Sequence, residues 1–374
     1  MTPATKVAVN LLWCVPGRVG GSEEYLARQL VGLTEHDHGL DITVFALPGY
    51  AAAHPDVADA FRLVESRTDG ASRPGRILAE HTWLARRTRS CDLVHHGGGT
   101  VPALGGNPVV LTIHDLQYRE FPRYFGGMKL RYLRHQMPRA AARASVITVP
   151  SEYVRRTVIE AFGRTTDDVI VVRHGVEPAL GADATPEDEL RSRYALGEGT
   201  RVLVFPAITH PHKRHDFLVE LMARHWTDDD IRLVLLGGRG LADAALAVLI
   251  EQSGIGDRIV RPGRVSSPDR DGLVQMATAL VFPSEYEGFG APVLEAMALG
   301  TPVIASDRAA LPEVLDGAGL VLPLEPEAWA GALVEVGRRR AELVAAGRRR
   351  AARFTAGKSA GDLLGAYRRA LRSR

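Results

Sequence analysis

Cysteine is scarce: the 374 residues contain two, Cys14 and Cys91, and no CxxC or CxxH spacing. That excludes a disulfide framework and a cysteine-built zinc site, and it predicts a reducing compartment. Both read as small apolar fillers of strands. Long hydrophobic runs are missing as well. The apolar stretch at residues 7–15 is interrupted by Asn10. It is too short for a membrane span and lacks the basic flank and cleavage site of a signal peptide. We read it as a buried strand and expect a soluble, cytoplasmic protein. Charge of one sign is absent too: 46 Lys and Arg against 44 Asp and Glu leave +2. Bulk electrostatics therefore dictate no partner, and no nucleic acid is expected.

What the chain does have is a nearly unbroken alternation of short apolar runs and helical patterns. Runs at 7–14, 42–47, 93–95, 109–113, 146–149 and 169–172 enclose helix candidates such as 22–34 and 153–162. Continuous rather than alternating hydrophobicity marks strands covered on both faces, as in parallel sheets. Residues 177–200 are rich in Gly, Pro and acids and read as a linker with a short helix. Runs at 202–205, 233–236, 258–260, 280–282, 302–305 and 320–322 then restart the pattern, with helices expected at 217–224, 242–253, 269–277 and 292–299. The expected fold is α/β, two Rossmann-like doubly wound parallel-sheet domains facing across a cleft. They should span residues 1–178 and 179–357.

Ligands of such sheets sit beyond the carboxyl ends of the strands. The richest run there is Pro283-Ser284-Glu285-Tyr286-Glu287-Gly288-Phe289-Gly290-Ala291-Pro292-Val293-Leu294-Glu295. Gly288 and Gly290 permit a turn with exposed backbone N–H groups, and Pro292 suits a helix's first turn. A helix start at that point favours an anion such as a diphosphate. Glu287 precedes the helix and Glu295 lies about one turn inside it. Both can face one crevice and accept hydrogen bonds from sugar hydroxyls. After the strand at 202–205, Lys213 can place a point charge on a phosphate.

Several other features carry a plainer reading. His210, His212 and His215 lack the HExxH pattern of a metal helix. Residues 17–22 are glycine-rich but not GxGxxG, and no acid closes the second strand, so the dinucleotide fingerprint fails. Asp228-Asp229-Asp230 precedes a strand, on the edge away from the chemistry, and reads as a solvated turn. Gly357-Lys358-Ser359 lacks the first P-loop glycine and reads as a helix start. The arginines at 338–340 and 348–350 read as charged helix faces.

Glu287-x7-Glu295 around Gly-Phe-Gly resembles the signature of family four retaining glycosyltransferases with the GT-B fold. Gly300-Thr301-Pro302-Val303-Ile304-Ala305 and Leu311-Pro312-Glu313-Val314 resemble its usual continuation. The resemblance implies retaining transfer of a sugar from a nucleoside diphosphate donor, without cofactor or metal. Glu287, Gly288, Phe289, Gly290 and Ala291 would hold the donor sugar and diphosphate, Glu295 the ribose, and Lys213 the diphosphate. Many members carry an Arg several residues before that Lys, where this chain has Ala207, Ile208 and Thr209. Arg239 or Arg214 would then supply the second cation, with Arg264 and Val265 near the base.

The run from Leu111 to Phe125 resembles a mannosyltransferase-like subgroup. There His114 would lie near the transferred sugar and Asp115 would order the site or the acceptor. Gly20 and Gly21 would approach the diphosphate and acceptor. A final helix near 358–374 would return to the first domain. GDP-mannose is the donor this resemblance implies, and the acceptor a glycan, lipid-linked or small-molecule one. Residues 119–143, basic and aromatic together, suit peripheral contact with an anionic membrane at the inner face. A nucleotide-sugar epimerase, a phosphorylase, or a non-catalytic glycan-binding subunit are the alternatives on this scaffold.

Overall fold

The computed structural model describes residues 4–16, 20–105 and 107–373. The chain divides into two compact units, Met1–Gly175 with Phe354–Arg374, and Val176–Arg353.

The first unit holds seven strands: β1 (Thr5–Asn10), β2 (Leu40–Ala46), β3 (Arg62–Glu65), β4 (Leu93–His96), β5 (Val109–Thr112), β6 (Val146–Val149) and β7 (Val169–Val171). They pair in the order β3-β2-β1-β4-β5-β6-β7, all parallel. The apolar runs end up in the middle, where both faces are covered; Val9, Val110 and Ile147 are essentially inaccessible. The strand Arg62–Glu65 was not anticipated. It lies on the sheet edge with a charged residue at each end, so it leaves no apolar run to read.

One layer of core joins Tyr25, Leu26, Leu30 and Leu33 of the helix Gly21–Leu33 to Leu363, Leu364 and Tyr367 of the last helix, Ala356–Arg372. The two backbones approach so closely that a Cβ at Gly32 would run into the Ala356 carbonyl. Thr355 caps the last helix by accepting from the Lys358 amide at 3.1 Å, so the P-loop-like tripeptide is a helix start. The opposite layer packs the helices Gly127–Arg143 and Glu152–Phe162.

The second unit holds β8 (Arg201–Pro206), β9 (Ile231–Leu236), β10 (Ile259–Gly263), β11 (Ala279–Phe282), β12 (Val303–Ser306) and β13 (Leu320–Leu322), ordered β10-β9-β8-β11-β12-β13 and again parallel. In each sheet the chain builds outward from its first strand, then jumps back past it. The order therefore reverses between β1 and β4, and between β8 and β11. Those are the topological switch points, where crevices open beyond the strand ends. Asp228 and Asp230 are both held by Arg201, at 2.5 and 2.7 Å, which makes the DxD tripeptide an ion-paired turn at the opposite sheet edge.

Candidate functional site

In the second unit, the loop after β8 is locked to its neighbours. Ala207 donates its amide to the Leu236 carbonyl at 2.7 Å, and Ala242 donates to the Thr209 carbonyl at 3.0 Å. Gly240 is required here, because a Cβ would collide with the Thr209 carbonyl. A 3-10 turn, Pro211–Lys213, follows, and Arg214 takes a left-handed conformation (φ 55°) to open the helix His215–Arg224. Across the switch point, the Glu285 amide donates to the His212 carbonyl at 2.7 Å and so ties the loop after β11 to the loop after β8.

That tie brings two of the expected residues into direct contact. Lys213 Nζ donates to Glu287 Oε1 at 2.5 Å, with the side chains only 18% and 12% exposed. The ammonium also lies 5.6 Å from the Phe282 ring centroid. A charge-assisted bond screened by so little water fixes both groups firmly.

Just beyond, Gly290 sits at φ 93° as the residue before the helix Ala291–Leu299, whose start has no side-chain cap. A Cβ on Gly290 would lie 2.7 Å from Leu311 Cδ2, so glycine is demanded by conformation and by space. In its first turn Pro292 has no amide hydrogen and the Val293 amide turns back to the Gly290 carbonyl at 3.0 Å, so this helix start follows directly on the loop that carries the Lys213–Glu287 pair. Phe289 is 3% exposed, so its ring belongs to the core. Glu295 lies one turn into the helix, partly buried.

The other donor-site candidates are placed differently. Arg214 bonds Glu285 at 3.1 Å and Asp216 at 3.1 Å, while Arg239 is 92% exposed and 3.7 Å from Asp243. Neither is drawn to the Lys213–Glu287 pair. Arg264 and Val265 follow β10, where the Arg264 side chain lies against Gly238. Burial, with Lys213 adding to it, pushes His212 down to about 3, and burial takes His215 down to about 4. His212 and His215 are thus held neutral. Among the described residues no group of three or more His, Cys, Asp or Glu is arranged to hold a metal ion.

The first unit's switch point has a different chemistry. Asn10 ends β1 and His96 ends β4, and both side chains are buried. Asn10 Nδ2 donates to His96 Nδ1 at 3.0 Å, while Asn10 Oδ1 accepts from the Leu12 amide at 3.0 Å. His114, just past β5, meets the Gly97 carbonyl through Nε2 at 2.9 Å. Its ring is flanked by Trp13 and Tyr25, each with centroid 5.5 Å away. Burial holds its pKa down to about 4 despite the Gly97 bond. Asp115 Oδ1 accepts from the Gln117 amide at 3.0 Å and shapes the following turn.

Of the glycine loop, residues 17–19 lie outside the described residues. Gly20 (φ 80°) precedes the helix Gly21–Leu33, and among the described residues nothing lies within 4 Å of where a Cβ on Gly20 or Gly21 would sit.

Three features escaped sequence reasoning. Gly97-Gly98-Gly99 directly follow a buried strand, a signal that was available. Asn10 is a polar residue at the end of an apolar run, and its role as a brace shows only in the fold. Glu80 is 6% exposed and opens a π-helical turn, Glu80–Leu84. Burial pushes its carboxyl up to about 7 against the pull of Arg76.

Residues 119–143 present Phe121 stacked on Tyr124 (centroids 5.5 Å, 3°), with Arg123 4.8 Å from the Tyr124 centroid. Lys129 lies 4.8 Å from the Phe125 centroid, and Met128 is 89% exposed. Among the described residues no helix is long and apolar enough to cross a membrane.

Two doubly wound sheets, with a Lys–Glu pair and an open helix start at one switch point, define the class as a GT-B glycosyltransferase that takes a nucleotide-sugar donor. The structure of Anabaena HepE in complex with UDP and glucose has the same fold, with TM-score 0.75 at 16% identity, over 97% of this chain and 99% of that one. Residues 19–180 match the profile described as Glycosyltransferase Family 4, and residues 186–348 that of Glycosyl transferases group 1. A D-inositol 3-phosphate glycosyltransferase of Acidothermus cellulolyticus is 30% identical over 84% of this chain and 72% of its own length. The O-antigen chain mannosyltransferase B of Escherichia coli is 28% identical over 70% of this chain and 74% of its own. The chain belongs to glycosyltransferase family 4, a family of retaining hexosyltransferases. Other curated relatives are matched over less of their length, down to 44%.

Proposed function

We propose that this enzyme transfers mannose from GDP-mannose to a glycan, lipid-linked or small-molecule acceptor, without a metal ion. The observation that carries the site assignment is the Lys213–Glu287 pair beside the uncapped start of Ala291–Leu299. The donor diphosphate takes Lys213 Nζ and the amides at Gly290 and Ala291. Glu287, released from its lysine, accepts from sugar hydroxyls, with the Gly288 and Phe289 backbone beside it. Glu295 accepts from the ribose. Arg264 and Val265 border the base, and Gly20 and Gly21 leave room for phosphate or acceptor. Fixed cation and amide dipoles stabilise the charge that grows on the leaving diphosphate. His114 meets the transferred sugar, and Asp115 orders the loop beside it.

The sugar and base rest on the run 111–125 and on the relative named a mannosyltransferase. HepE was solved with UDP and glucose, which makes the comparison of donors decisive. Thermal melting with GDP, UDP and ADP, followed by transfer assays with GDP-mannose and UDP-glucose, tests this reading, since a ligand that prefers the folded state raises the melting temperature. We expect GDP to stabilise most and GDP-mannose to be consumed with an acceptor glycosylated in retained configuration. Preference for UDP-glucose would overturn the mannose assignment.

The aromatic and basic residues of 119–143 dock the enzyme on an anionic membrane at the inner face, near a lipid-linked acceptor. Co-sedimentation with vesicles that ignores anionic lipid content and salt would end that part.

A further inference from the structure

We infer that the glycine turn after β4 is a positioning device: the Gly97 carbonyl locks His114 in one neutral tautomer, and the buried Asn10–His96 pair holds that carbonyl in place. The inference rests on the reading of His114 as the group that meets the transferred sugar.

The chemistry follows from what each atom can do. A carbonyl oxygen only accepts, so the 2.9 Å contact requires the hydrogen on His114 Nε2. Nδ1 of the neutral ring then carries a lone pair, and the imidazole offers an acceptor and no second donor. His114 in this state receives a hydrogen bond from a substrate hydroxyl. It does not deliver a proton to a departing oxygen.

Each part of the support is forced by space or by pairing. The Gly97 amide donates to the Asn10 carbonyl at 3.3 Å, so the turn is tied to the end of β1. Asn10 Nδ2, a pure donor, makes His96 Nδ1 the acceptor at 3.0 Å and fixes that ring one residue before Gly97. A Cβ at Gly97 would strike Leu26, and one at Gly98 would come within 2.5 Å of the Trp13 ring, which packs on His114. No larger residue lets the carbonyl reach His114 with Trp13 in place.

The groups that face His114 electrically are His95 on β4 and His174 after β7, with Tyr25 on its helix. Both neighbouring imidazoles are themselves held neutral, so burial is what keeps the His114 ring uncharged, against the pull of the Gly97 carbonyl. Tyr25 itself is anchored, its hydroxyl donating to the Val172 carbonyl at 2.5 Å.

The test is nitrogen-15 NMR of histidine-labelled full-length enzyme, with His114 assigned through His114→Gln. We expect a neutral ring protonated at Nε2 throughout about pH 5 to 8, a range in which an ordinary histidine titrates. A ring protonated at Nδ1, or one that titrates near pH 6.5, would overturn the inference. The measurement needs no substrate, so it can fail while the transferase reading stands, and the reverse. As a second arm, Asn10→Ala should mix the His114 tautomers and lower kcat by roughly 10- to 100-fold, as loss of alignment does. KM for the donor should stay within about twofold, because the donor's diphosphate is held in the other unit. Unchanged tautomer and kcat in a variant that melts normally would show that the brace does nothing.

Discussion

The two switch points use opposite means to fix a side chain. In the second unit, an ammonium and a carboxylate hold each other at 2.5 Å, and the loops that carry them are tied by one backbone bond. In the first, His114 is fixed without charge, by a carbonyl, two aromatic rings and burial that keeps it neutral. An ion pair can exchange partners when a charged diphosphate arrives. A neutral, buried imidazole cannot, and it suits recognition of a hydroxyl. The contrast is between a pair held by charge and a ring held by shape.

The comparison breaks most visibly at Glu287. Glu287→Ala should lower transfer by about 100- to 1,000-fold, in the range of a lost transition-state contact, and it strands the Lys213 ammonium, so the melting temperature should fall modestly as well. Initial rates and thermal melting check it, and full activity would remove Glu287 from the site. Lys213→Ala should come next, weakening donor binding by roughly tenfold, about the worth of one charge-assisted bond. Titration calorimetry with the nucleoside diphosphate measures that. It also leaves Glu287 as a poorly solvated carboxylate without its cation, so the fold should lose stability as well.

Gly290→Ala sharpens the argument from geometry. A left-handed conformation and a 2.7 Å approach to Leu311 predict a cost of about 1 to 3 kcal/mol, read as a lower melting temperature. An unchanged melting curve would mean that the turn relaxes freely.

The first unit also carries a pH dependence. His95, His96 and His114 are held down to about 3, 3 and 4, against 6.5 ordinarily. The unfolded chain then takes up more protons as pH falls below about 6.5, so stability present above that pH is lost toward about pH 4. Glu80, raised to about 7, acts in the opposite sense between about pH 4.5 and 7, one group against three. Thermal melts should therefore shift downward from pH 7 to pH 5, and a flat profile would contradict the neutral cluster. EDTA should leave transfer intact, and dependence on added metal would correct the metal-free mechanism.

The same contrast explains how much of the site was legible. Glu287, the glycines at 288 and 290, and Glu295 lie within nine residues of sequence, at a strand-to-helix junction that apolar periodicity already marked. Their chemistry needs only local geometry, and local geometry is what a sequence pattern encodes. The first unit's brace joins Asn10, His96 and Gly97 to His114, residues on three different strands or their ends, with no fixed spacing between them. The edge strand Arg62–Glu65 was invisible for a related reason, since an edge is not required to be apolar.

The sequence by itself therefore determined the layered α/β architecture, its parallel sheets and the glycine-proline turn that opens the helix at Ala291. Each of these follows from short-range periodicity and from the conformations that glycine and proline permit. Only the tertiary structure decided that Lys213 meets Glu287, that Arg214 pairs with Glu285 and Asp216, and that His114 leans on a carbonyl seventeen residues earlier. Those outcomes depend on strand order, which brings distant strand ends together at two points, and on burial, which sets the charge of what arrives there.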